Sequence, residues 1–268
     1  MNKWTRIHLL LTATWLLLGT PGFARTNSTP HIYPNSVQTA LQIETDLYNA
    51  LDAKYRDRLQ APIPGVTTEE ATAAVFMDKT TASKMHCEAC VSSEFVNLIN
   101  HVAHAKAIDR VQPGYFVRYM SGLALETATG SLPVAPEITK EAYWTDSILN
   151  DQASYFNQMI GMCIALNLSH HYFGQFDKYT TTMWPGRLIP INNLLTQREW
   201  EKDVRAATVN SLNCALGTEG AAALFDAIDS MPRRPTWTAY IVPQNTDIKG
   251  LNKQLGRYET DFFHGGLN

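Results

Sequence analysis

Three stretches of this chain carry His, Asn and carboxylate side chains at helical spacing inside otherwise apolar runs. In residues 94–109 (EFVNLINHVAHAKAID), about 100° per residue puts Glu94, Asn97, His101, His104 and Ile108 within about 80° of arc. Phe95, Leu98, Ile99, Val102, Ala103 and Ala105 occupy the rest of the circumference. A helix apolar over most of its surface is a buried one, so this polar stripe is expected to face the interior. There its members must pair or bind something. Two His at i, i+3 can converge on a metal or a substrate. The competing reading leaves the stripe in water and packs the other side.

The second stretch, residues 145–173, sets Asp146, Asn150, Asn157, Ile164, Leu168 and His171 within about 60°, with Asn167 one turn before His171. Adjacent His residues point about 100° apart, so one compact site uses one of them. His171 shares the stripe. His170 shares the face of Cys163 and reads as packing or surface. Asp177 could return a carboxylate to the same place. The third stretch sets Glu199, Asp203, Ala206, Asn210 and Asn213 within about 80°. Glu199 and Asp203 suit the positive end of a helix and read as exposed. Asn210 and Asn213 lie deeper, and Asn192 and Asn193 precede the helix. Asn is a poor helix former, so several inside helices point to specific hydrogen bonds, in a site or in an amide network between helices.

Neutral imidazole and carboxylate suit zinc or non-haem iron, and about three protein ligands leave a position for a reactive water. The chain carries no G-x-S-x-G, H-E-x-x-H, Walker loop, dinucleotide G-x-G-x-x-G or paired E-x-x-H. The resulting expectation is a metal-dependent enzyme, hydrolytic in preference to redox. His101, His104 and His171 would be ligands to zinc or iron. Glu94 would be a fourth ligand or the general base, and Asn97, Asn167 and Asn210 would orient ligands or substrate. The alternative is a non-enzymatic helical protein that binds a small polar molecule, or haem between two His.

Composition limits the partners. Of 268 residues, 45% are hydrophobic and 18% charged, with 22 basic against 25 acidic side chains. That is globular, and it lacks the basic stripe that nucleic acid requires, so none is expected as a partner. Lys3 and Arg6, the apolar run 9–18 (LLLTATWLLL) and small residues at Gly22 and Ala24 follow the plan of a secretory leader, residues 1–24. A span needs about twenty apolar residues, and no later stretch supplies them. A secreted or periplasmic product is expected. In that compartment four Cys imply disulfides, with Cys87–Cys90 and Cys163–Cys214 the favoured pairing. The C-x-x-C lacks the βαβ setting of a redox motif and the second pair of a zinc site.

These residues must be held by helices. Residues 25–35 read as an extended lead-in and 36–268 as one mostly α domain of about six to eight helices, with at most a short β-hairpin. Ser36 opens a helix reaching about Leu59, and Ser92 or Ser93 caps one to Asp109. Pro113 starts another, and a long one runs over 139–173. Thr196–Glu199 forms a capping box. Helices over 218–230 and 248–263 follow. Residues 237–242 (WTAYIV) and 187–191 read as short strands.

Overall fold

The structure, a computed structural model, describes residues 33–59, 66–67, 91–124, 132–179, 191–244 and 247–266. Capping chemistry fixes where its helices begin. Ser92 Oγ accepts from the Phe95 N–H at 3.1 Å and opens α3, Ser93–Asp109. Thr196 and Glu199 make the expected reciprocal capping box and open α7, Gln197–Asn213. The lead helix α1, Ser36–Asn49, is capped by Asn35 in the left-handed conformation at φ 60°, which Asn tolerates. It stops short of Leu59: Asp52 turns extended, and a separate turn of helix, α2, follows at Ala53–Arg56.

The remaining helices are α4 (Tyr115–Leu123), α5 (Asp146–Tyr172), α6 (Gln175–Lys178), α8 (Glu219–Asp229) and α9 (Leu251–Phe263). The fold is a single helical domain; the described residues are 70% helical, and seven of the described helices reach seven residues or more. Strand content among the described residues is a two-residue parallel pairing of Val66–Thr67 with Val91–Ser92, not a hairpin. No described helix is long and apolar enough to cross a membrane.

The 27-residue α5 is the axis. Helices α1, α3, α7 and α8 pack around it, and α9 closes over α7 and α8. From Met159 to Tyr172 every α5 side chain is buried, and Trp200, Trp237, Phe95 and Phe225 fill the space between layers. Contact is close where α8 meets α5. A Cβ on Gly220 would stand 2.9 Å from Gln158 Cβ and 3.0 Å from the Tyr155 carbonyl oxygen, and the Gly220 N–H donates to Gln158 Oε1 at 2.6 Å.

The expected strand over 237–242 is instead a 3-10 turn, Thr236–Tyr240. Its backbone bonds close locally: the Thr238 N–H and hydroxyl both donate to the Pro235 carbonyl, and Ile241 and Val242 N–H donate to Thr238. Trp237 through Tyr240 are all buried, so the run packs on every side and does not alternate. Of the other proposed strand, 187–190 lie outside the described residues, and Ile191 begins a second 3-10 turn, Ile191–Leu194.

The α7 N-terminus is clasped. Lys178 Nζ donates to Glu199 Oε1 at 2.5 Å and the Tyr179 hydroxyl to Oε2 at 2.7 Å. Burial alone would raise the Glu199 carboxyl. The bonds from Lys178, Thr196 and Tyr179 outweigh it and hold the carboxyl down at about 2. A depressed carboxylate stabilises the fold above its unfolded value and loses that contribution as pH falls through its folded one. Glu199→Gln is therefore expected to lower Tm by a few degrees at pH 7, and the gap from the parent should close between pH 4.5 and about 2. Gly220→Ala should destabilise by about 1–3 kcal/mol in denaturant unfolding through overpacking against α5, despite its better helix propensity.

Candidate functional site

The polar stripe of α3 does not point inward as a unit. Glu94 and Asn97 are exposed, and among the described residues Glu94 accepts from its neighbour Ser93 at 3.1 Å. His101 is half-buried and donates from Nδ1 to the Asn97 carbonyl at 3.0 Å. Burial lowers its pKa, only partly offset by that bond and by Glu137. His104 is fully buried. Its Nε2–H donates to the Tyr143 carbonyl at 2.7 Å, and the Tyr33 hydroxyl donates to Nδ1 at 3.0 Å. Tyr33 and Trp144 flank the ring. That imidazole is a packed bridge from the lead-in to the segment before α5, with its lone pair already used.

His171 occupies the other end of α5, buried with its ring 4.4 Å from that of Phe176. Trp144 beside His104 precedes α5, and His171 sits in its last turn. At 1.5 Å per residue the two imidazoles lie about 40 Å apart along the helix. His101, His104 and His171 therefore do not assemble a metal centre. Glu94 and Asn97 stand in solvent, away from Asn167 and Asn210, which are buried on α5 and α7. Among the described residues no three His, Cys, Asp or Glu gather closely enough to hold a metal ion.

The cysteine expectation is also corrected. Cys163 and Cys214 are free thiols. Cys163 is enclosed in the α5 core and pushed up to about 12 by burial. Cys214, at the end of α7, is pushed up to about 11 by burial and by Asp46 of α1 beside it. An even count of Cys carries no information on which Cβ vectors meet. Cys87 and Cys90 lie outside the described residues.

The structure brings together a different set. At the C-terminal end of α5 the His170 Nδ1–H is shared by Gln175 Oε1 at 2.8 Å and Asp203 Oδ2 at 3.2 Å, and Gln175 Nε2 donates to Asp203 Oδ2 at 2.6 Å. His170, Gln175 and Asp203 are all buried. The bonds fix the tautomer with the proton on Nδ1. Asp203 lies close enough to Tyr172 to help burial raise that phenol far above its ordinary range. Asp203 shares a helical arc with Glu199 but sits three residues from Trp200 and beside Val204, on the packed face. That proximity was the available signal. His170, set aside in favour of His171, is the imidazole with a carboxylate partner.

Next to this network a cleft of about 320 Å³ opens between α2, the end of α5, and α7. The break between α1 and α2 contributes Leu51, α2 contributes Tyr55, and the α5 end contributes Tyr172 and Phe173. Lys202, Arg205, Ala206, Val209 and Asn210 come from α7. Arg58 ties the rim together by donating to the Tyr172 carbonyl at 3.3 Å. Tyr55 lies on Tyr172 with ring centroids 4.5 Å apart and meets Phe173 edge-on. Lys202 Nζ stands 3.6 Å over the Phe173 ring.

Beneath this surface Asn210 is 4% exposed, and both its amide atoms lack a hydrogen-bond partner among the described residues. Other buried amides are answered at least in part: Asn192 donates to the Ala239 carbonyl at 3.1 Å while its Oδ1 lacks a partner among the described residues. Gln152, for example, donates to Asn100 Oδ1 at 2.8 Å, and Asn100 donates to the Val96 carbonyl.

Asp203→Ala should cost about 2–4 kcal/mol in urea unfolding, because it strands buried donors on His170 and Gln175. Comparison with protein-family models, curated proteins and solved structures finds no match, so the reading of this cleft rests on its own geometry.

Proposed function

We propose that this chain is a non-enzymatic small-molecule-binding protein whose ligand enters the cleft between α2, the end of α5 and α7. One observation carries the reading: the Asn210 amide is desolvated, unpaired, and placed at the cleft. Each buried polar group left without a partner costs about 1–3 kcal/mol, and Asn is also a weak helix former. A ligand with a donor and an acceptor side by side recovers that cost once the side chain turns toward it. Nothing in the surrounding protein does so among the described residues.

Metal-dependent hydrolysis at His101, His104 and His171 has less support, because these imidazoles lie at opposite ends of α5; haem has less support because both ring nitrogens of the buried His104 are already hydrogen-bonded. The leader read at residues 1–24 adds export to the proposal, making this a secreted or periplasmic binder.

Asn210→Leu separates a binding role from a structural one. It replaces an unpaired amide with an apolar group of similar size, so the free protein should gain about 1–2 kcal/mol, a rise of several degrees in Tm. The same variant should lose the thermal shift that the parent shows with members of a panel of small organic acids, amides and amines. A destabilised variant, or one whose ligand responses are unchanged, would overturn the reading.

A further inference from the structure

Resting on that reading, we infer that the cleft selects a small flat carboxylate carrying an amide-like edge. Three features of the walls specify it, and two are independent of the Asn210 argument.

The first is charge. Lys202 and Arg205 stand one turn apart on the exposed side of α7, and neither makes an ion pair with a described residue. The third basic lining residue, Lys54, is already held by Asp52 at 3.1 Å, and Asp52 is the one carboxylate in the lining. The rim therefore carries uncompensated positive charge, with a guanidinium fork whose planar geometry matches a carboxylate.

The second is shape. On the helical wheel the cleft face of α7 runs from Arg205 at its outer edge through Lys202, Ala206 and Val209 to Asn210 at its inner edge. Ala206 and Val209 leave a low apolar floor, and Tyr55, Tyr172 and Phe173 form the opposing aromatic wall. A slot of about 320 Å³ between such surfaces is at the small end of ligand pockets and suits one ring.

The third is reach. Arg205 and Asn210 are five residues apart, about 7.5 Å along the axis. One six-membered ring carrying substituents at opposite positions bridges that distance. Its carboxylate would meet Arg205 and Lys202, drawing Lys202 off the Phe173 ring, while its amide edge meets the Asn210 side chain.

The test is calorimetric titration of the purified chain with 4-carbamoylbenzoate, benzamide (amide without charge) and benzoate (charge without amide). The expected order is 4-carbamoylbenzoate about ten-fold tighter than either single-function probe. A Lys202→Ala/Arg205→Ala variant, altered only at exposed positions and checked by circular dichroism, should lose about ten-fold for the two anions and keep its benzamide affinity. Benzamide binding as tightly as 4-carbamoylbenzoate, with no effect of the double variant, would overturn the anionic class and leave the cleft a neutral-ligand site. Benzoate equalling 4-carbamoylbenzoate would overturn the amide edge. Silence from all three probes would overturn the inference, and silence from the wider panel as well would take the binding reading with it.

Discussion

The complete burial of the second half of α5 is the constraint on which the other elements depend. A helix with no face left for water must be enclosed by neighbours on every side, and here α1, α3, α7 and α8 enclose it. It must also have each side-chain polar group answered from within. Ser169 turns its hydroxyl back to the Leu166 carbonyl at 2.6 Å. Gln152 is met by Asn100 of α3, and His170 by Gln175 and by Asp203 of α7. These bonds fix the heights at which α3 and α7 cross the axis, so the polar pairs set the register of a bundle that apolar packing alone would leave loose. The close approach at Gly220 does the same for α8 through sterics.

The cleft follows from where that enclosure ends. Helix α1 covers α5 until Asn49 and then gives way to a break and a single turn of helix, while α5 stops at Tyr172 and the chain reverses through Gly174 at φ 71°. The wall thus opens beside the most buried part of the axis. Aromatic rings line one side and α7 the other, with Asn210 reaching under the floor and, above it, two cations that make no ion pair among the described residues. A stable bundle has no use for an unanswered amide at that point. Among the described residues Asn157 and Asn192 each leave one amide oxygen unanswered, and Asn210 leaves both its amide atoms so, which makes it the place where stability is traded for something else.

Much of the fold was legible in the sequence because helix periodicity and capping are local. Ser36, Ser92, Pro113 and the Thr196–Glu199 box place those helix starts to within a few residues. The α1 break is not legible, since nothing in 49–53 is a strong helix breaker. In the 237–242 run β-rich composition does not distinguish a strand from a buried turn, and no described strand lies beside it to pair with it.

The site was less legible for a related reason. A helical wheel states which residues share a face and is silent on which neighbour that face meets. Glu94 and His104 share one arc, yet the first stands in solvent while the second lies beneath Tyr33 and Trp144. Glu199 and Asp203 share another, and only the second is enclosed. The burial of Asn210 is legible because it rests on depth within a helix, whereas the three-His centre requires tertiary convergence that α5 prevents by its length.

The state of the Asn210 amide is the most direct measure of this account. Nitrogen-15 NMR on asparagine-labelled protein, with the Asn210 side chain assigned by substitution, reports its partners in solution. The account predicts an amide with no through-bond coupling or short contact to a protein acceptor in the free state, and new contacts to ligand ring protons when 4-carbamoylbenzoate is added. An Asn210 amide already coupled to a protein carbonyl or carboxylate, and unmoved by the added ligand, would contradict it and make the residue part of the structural network.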